Sequence, residues 1–244
     1  MNPVEDARAL VVERFPAARA AFLGGGVLSA RRTATSDLDI VVLLDGPPAP
    51  YRESLRFRGW PVELFVHDKQ SVACYCAKDV AERTPIMPRL CAEGAVLIDR
   101  DGLAGQVRAD AAALLAAGPP PVPEGELDGC RYGLCDLLDD LAGSTDPGES
   151  LVISWQIFEA TARLALLLGG HWLGGGKWLL RELRNLDPGL ADRLLTGLAD
   201  QAVLTEVADE VLAGSGGRLW EGYRQSGHTP ASAAESGQNV SDGS

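Results

Sequence analysis

The chain has few of the features that mark specialised classes of protein. Histidine occurs three times and methionine twice in 244 residues, and aromatic residues make up 6%. The three histidines are scattered, so no His-rich metal motif can be drawn. There is no uninterrupted apolar run of the roughly 20 residues that a spanning helix needs, and stretches such as 164–168 stop far short. The first six residues, Met-Asn-Pro-Val-Glu-Asp, lack an apolar signal core, which gives the expectation of a cytoplasmic protein with no membrane partner.

Cysteine is present but unpatterned. The five are Cys74, Cys76, Cys91, Cys130 and Cys135. An odd number without paired spacing argues against a disulfide framework, and Cys74-x-Cys76 has no second close pair to complete a zinc site. Reduced, mostly buried thiols are the expectation.

Basic charge is also scarce. The formal net charge is −12, and the surplus lies in one half: residues 1–118 hold 14 Lys and Arg against 15 Asp and Glu, while residues 119–244 hold 8 against 19. A nucleic-acid partner needs a basic surface, so none is expected. Acidic helix faces that keep the protein soluble explain the surplus most simply, and a cationic small molecule also suits it.

What is present divides the chain in two. Residues 4–14 have a helical apolar period, 20–23 read as a buried strand ending in three glycines, and 38–44 as a β-branched strand ending at Asp45-Gly46-Pro47-Pro48. Residues 51–57 and 61–67 read as a hairpin around 58–60, residues 69–93 as helix broken near Pro85 and Pro88, and 96–99 as a last strand. The proline-rich run 118–123 reads as a linker. Helical stretches follow at about 125–142, 150–168, 176–186, 188–199, 202–213 and 217–224, and the small polar tail 226–244 is expected to be disordered. The predicted organisation is an α/β (α+β) domain with a mixed sheet over 1–117, the linker, and an all-α helical bundle domain over 124–225.

The segment with chemical content runs from Gly24-Gly25-Gly26 to Ser36-Asp37-Leu38-Asp39-Ile40. Side chains alternate across a strand, so Asp37 and Asp39 share a face. Adjacent carboxylates repel unless a cation or proton lies between them, and Mg²⁺ takes oxygen ligands. Glu63, on the second arm of the hairpin, supplies a third carboxylate. Such a set holds two metals about 3.5–4 Å apart. The glycines expose backbone N–H groups to phosphate oxygens. A helical turn over 27–31 would add its N-terminus to that site, Arg31 and Arg32 offer positive charge, and Ser36 offers a hydroxyl.

These residues resemble the nucleotidyltransferases of the DNA polymerase beta superfamily, whose signature is Gly-Gly or Gly-Ser, a spacer of about ten residues, and Asp-x-Asp between apolar residues. Gly25, Gly26, Asp37 and Asp39 match it, and Glu63 stands where the third acid belongs. The match covers residues 20–68 well and the rest in architecture. The chain also resembles the small bacterial members, including the aminoglycoside and lincosamide enzymes with a C-terminal helical domain and the minimal enzymes paired with helical toxins. Gly26 departs from the common Ser, and Ala30 from a common Gly.

The resemblance implies two Mg²⁺ ions, ATP or another NTP as donor, and a small hydroxyl-bearing acceptor that receives a nucleoside monophosphate, AMP in the usual case, as pyrophosphate leaves. An aminoglycoside-like acceptor suits the acidic half. It also implies a general base from the helical domain, for which Glu159 is the first candidate and Asp136, Asp139 and Asp140 are others; a plain ion pair of Glu159 with Arg163 is the competing reading. Lys177, after Gly174-Gly175-Gly176, is a candidate to reach the triphosphate, with a surface lysine as the alternative. Trp172 and Trp178 are candidates to line an acceptor pocket. Two other readings stay open: an antitoxin-like enzyme acting on a protein partner, and a non-catalytic nucleotide-binding regulator. Apolar helix faces leave room for a homodimer.

Overall fold

The computed structural model describes residues 2–30 and 32–225; Met1, Arg31 and the tail 226–244 lie outside the described residues. The first part is α1 (Pro3–Arg14), β1 (Ala20–Gly24), β2 (Leu38–Leu43), β3 (Tyr51–Phe57), β4 (Trp60–His67), α2 (Lys69–Ala81), α3 (Ile86–Ala92), β5 (Ala95–Asp99) and α4 (Leu103–Ala117). The second is all helix: α5 (Glu124–Gly143), α6 (Pro147–Leu168), α7 (Lys177–Leu186), α8 (Pro188–Gly197) and α9 (Gln201–Ala213). This is the expected class, a mixed-sheet α+β domain followed by a helical domain.

The sheet has the order β3-β4-β2-β1-β5. β2 runs parallel to β4, and the other neighbours are antiparallel. Alternation along β2 decides what each face meets. Leu38, Ile40 and Val42 join Ala7, Leu10 and Val11 of α1 in one apolar layer. Val41 and Leu43 point the other way, into a layer with Val72 and Cys76 of α2, Leu90 and Cys91 of α3, and Leu103 and Val107 of α4. Each fully buried Leu or Ile contributes on the order of 2 kcal/mol. Asp39 lies on the second face, two residues before Val41, at the end of the strand where apolar packing gives out.

The helices start where local chemistry supplies a cap. Asn2 accepts the Val4 N–H ahead of α1, and Asp68 and Ser71 form a reciprocal capping box at α2. Asp146, Asp187 and Asp200 cap α6, α8 and α9. Three carboxylates of the acidic half are therefore structural. Pro85, the residue before α3, offers no side-chain cap; the Asp79 carboxylate of α2 accepts the Met87 N–H at 2.6 Å instead. The expected break falls at Pro85 alone. Pro88 sits in the first turn of α3, where a missing N–H costs nothing.

Two other expectations change. Residues 217–224 are turns and coil, because Gly216, Gly217 and Gly222 take φ of 103°, 85° and 86°, which a right-handed helix excludes. And α6, with 22 residues and a mean hydropathy of 1.5 over its most apolar stretch, is long and apolar enough to cross a membrane by length and composition. Half of that stretch is buried within the fold, where Ile157, Phe158, Leu164 and Leu166 form the centre of the helical core.

Arg83 joins the two parts. It is 8% exposed and has φ of 57°. Its guanidinium donates to the carbonyls of Pro120 and Pro121, each at 3.2 Å, and to Glu126 at 2.8 Å, while its carbonyl accepts the Leu173 N–H at 2.7 Å. A second bridge runs from Arg89 of α3 to the buried Glu182 of α7, 2.5 Å apart.

Candidate metal and nucleotide site

The site is built on one row of the sheet. Gly24 of β1 pairs with Asp39 of β2, and Asp39 pairs with Glu63 of β4. Residues in register on neighbouring strands point to one face, so Asp39 and Glu63 stand side by side. Asp37, just ahead of β2, completes the group: one carboxylate oxygen from each of Asp37, Asp39 and Glu63 lies within 4.8 Å of the others. Among the described residues this is the only His, Cys, Asp or Glu cluster with such geometry.

Asp39 shows what the crowding costs. Burial, then the charges of Asp37 and Glu63, push its pKa up from 3.8 to about 6, against the pull of Arg52 and Lys177. A carboxylate held this way favours a proton or a cation. The oxygen-only donor set suits Mg²⁺, and the geometry around it fits: Gly25, at φ of 79°, brings its backbone so near that a Cβ there would stand 2.0 Å from Asp39 Oδ2. Only glycine fits both the dihedral and the space.

The other glycines differ. A Cβ on Gly24 would meet Leu90 Cδ2 at 2.4 Å, so Gly24 is where α3 closes on the sheet. Gly26 faces open space. It starts a single 3₁₀ turn, Gly26–Leu28, rather than a helical turn reaching residue 31, so no helix N-terminus of useful length adds to the backbone donors. Ser36 Oγ accepts the Thr33 N–H at 2.9 Å and fixes the approach to Asp37. Arg32 turns aside, its guanidinium 4.8 Å over the Trp60 ring.

From the helical part the structure brings Lys177, the first residue of α7, near enough for its charge to act on Asp39. A Cβ on Gly174 would lie 2.6 Å from the Trp178 carbonyl carbon, so the glycine loop is what folds tightly over the start of α7. Trp178 is 40% exposed beside Arg89 and Arg181. Glu159 lies exposed on α6, outside the acid cluster, and among the described residues it forms no ion pair with Arg163 or any other cation. Asp139 pairs with Arg218 at 3.4 Å, while Asp136 and Asp140 are exposed on α5.

The cysteines stay out of this chemistry. All five are free, and burial pushes Cys76 up to about 11 and Cys91 up to about 12, so both are protonated thiols at neutral pH.

Sequence reading missed Arg52. Its Nη2 lies 2.6 Å from Glu63 Oε2. The signal lay in the hairpin register: Ser54 pairs with Glu63, which sets Arg52 on the diagonal, within reach for a long side chain.

No family model matches the chain, and no curated protein matches it. Among solved structures it is similar to a nucleotidyltransferase-like protein from Exiguobacterium sibiricum 255-15, with 14% identity over 88% of this chain and 73% of that one, at a TM-score of 0.46.

Proposed function

We propose that the protein is a Mg²⁺-dependent nucleotidyltransferase that moves a nucleoside monophosphate, AMP from ATP in the first instance, to a hydroxyl of a small molecule. The observation that carries this reading is the three-carboxylate cluster packed against the backbone of Gly25. The donor set is all oxygen, Asp39 and Glu63 stand on neighbouring strands with Asp37 just ahead of β2, and the glycine turn at Gly25 lies against them.

In this reading Asp37, Asp39 and Glu63 would hold two Mg²⁺ ions, which would supply Lewis acidity at the α-phosphate and charge neutralisation at the leaving group. Backbone N–H groups at Gly25 and Gly26 orient the phosphates, and Lys177 adds positive charge from the helical side. The acceptor oxygen attacks the α-phosphorus, the bond to the bridging oxygen breaks, and pyrophosphate leaves with the electron pair. The acceptor proton passes to a carboxylate or to water. The raised pKa of Asp39 leaves it partly protonated near pH 6, where a cation would have to displace that proton.

For the acceptor, the charge of the helical half favours a cation. Asp146, Asp187 and Asp200 are taken up as helix caps and Glu210 by Arg193. Asp136, Asp140, Glu149, Glu159 and Glu206 remain exposed. An aminoglycoside-like polycation would meet a favourable field, weakened by salt.

The test is pyrophosphate release from each of the four NTPs, with Mg²⁺ or with EDTA, across a panel of cationic and neutral hydroxyl acceptors. The proposal expects acceptor-dependent release that needs Mg²⁺, is lost in Asp39→Asn, and has a KM for the cationic acceptor that rises with ionic strength. Release that persists in EDTA or in Asp39→Asn would overturn it.

A further inference from the structure

β3 is one of the sheet's two edge strands, and its side chains alternate between two environments. Arg52, Ser54 and Arg56 point to the exposed face. Ser54 is paired with Glu63 and Arg52 with Phe65, so this polar ledge adjoins the acid cluster. Arg52 Nη2 sits 2.6 Å from Glu63 Oε2, and its guanidinium lies 5.0 Å over the Phe65 ring. Its side chain is 60% exposed, against 31% for Glu63.

On the metal-site reading, this salt bridge competes with the metal for Glu63. One oxygen of Glu63 is occupied by a guanidinium that cannot lose its proton, and the same carboxylate belongs to the metal-ligand group. A guanidinium and a divalent cation on one carboxylate repel. An exposed arginine on a sheet edge moves at little cost, and its planar fork matches phosphate oxygens as well as it matches a carboxylate.

Resting on the nucleotidyl-transfer reading, we propose that Arg52 is an exchangeable cation, paired with Glu63 before metal loads and moving onto a phosphate oxygen of the NTP as metal takes the carboxylate. Arg52 thereby raises the threshold for metal alone and favours metal that arrives with nucleotide. Arg56, on the opposite diagonal to Glu63 in the same register, makes no ion pair with the cluster and takes no part.

The experiment uses the full chain and Mn²⁺ as a spectroscopic probe. Mn²⁺ binding without nucleotide is followed by electron paramagnetic resonance, and MgATP binding by calorimetry, for wild type, Arg52→Met, Arg52→Lys and Arg56→Met. Arg52→Met is expected to bind Mn²⁺ about fivefold tighter and MgATP about fivefold weaker, the scale set by an exposed charge-assisted pair. Arg52→Lys falls between, because it keeps the charge without the fork, and Arg56→Met stays near wild type in both. Opposite signs for metal and nucleotide are the signature. Equal or weaker Mn²⁺ binding in both Arg52 variants, or unchanged MgATP binding, overturns the exchange while leaving the metal site intact. If wild type and Arg52→Met alike bind no Mn²⁺, the metal reading itself has failed and the exchange falls with it.

Discussion

Gly25 and Asp39 are packed so that a methyl group on the glycine would stand 2.0 Å from the Asp39 Oδ2 atom. The positive φ of Gly25 and the placement of the carboxylate are thus one constraint. Gly25→Ala is expected to displace Asp39 and to cost about 2–4 kcal/mol of stability, from the dihedral and the overlap together. Gly26 has open space around it, so Gly26→Ser should fold as wild type and add a hydroxyl at the turn. Paired thermal melts and MgATP titrations check both. A Gly25→Ala protein with normal stability and normal metal affinity would contradict the packing argument.

The raised pKa of Asp39 has a consequence for stability in the absence of metal. Its folded value is about 6 and its ordinary value 3.8. Between these limits the folded state binds the proton more tightly than the unfolded state. Stability therefore falls as pH rises from about 4 to about 6, and stays level beyond, by at most about 3 kcal/mol. Asp39→Asn lacks this loss. The difference in Tm between the two proteins in EDTA, from pH 4.5 to 7.5, measures it directly. Millimolar Mg²⁺ should return stability to wild type at pH 7 and do little at pH 4.5. Parallel pH curves for the two proteins would show that Asp39 is not strained.

Arg83 ties the linker to both parts of the chain through two proline carbonyls and Glu126. Arg83→Lys keeps the charge but cannot serve three acceptors in one plane. The loss should be about 1–3 kcal/mol, with faster proteolytic cleavage within residues 118–123. Limited proteolysis and chemical unfolding check it. Cleavage at the wild-type rate would mean that the linker is held by something other than Arg83.

Much of this was legible in the sequence because periodicity and turn chemistry agreed there. The β-branched run after Asp39 and the hairpin turn at Arg58-Gly59 fixed β2, β3 and β4, and with them the row of acids. The helix α4 was not, since its alanine-rich sequence shows little contrast between a buried and an exposed face. Residues 217–224 read as helix because glycine's taste for positive φ is only a tendency until the chain turns back on α5, where Arg131 donates to the Gly217 carbonyl. The Arg52–Glu63 pair depended on strand register, and the closeness of Lys177 to Asp39 on the docking of two parts whose contacts are far apart in sequence. Neither has a local signal.

In the proposed function Asp37, Asp39 and Glu63 form a metal-dependent nucleotide site. Calorimetric titration of MgATP into wild type and Asp39→Asn, each with Mg²⁺ and with EDTA, tests it most directly. Binding to wild type should be saturable, should need Mg²⁺, and should weaken at least about tenfold in Asp39→Asn, the loss expected when one ligand of a shared metal site is removed. Binding of equal strength in both proteins, or binding indifferent to EDTA, would contradict it.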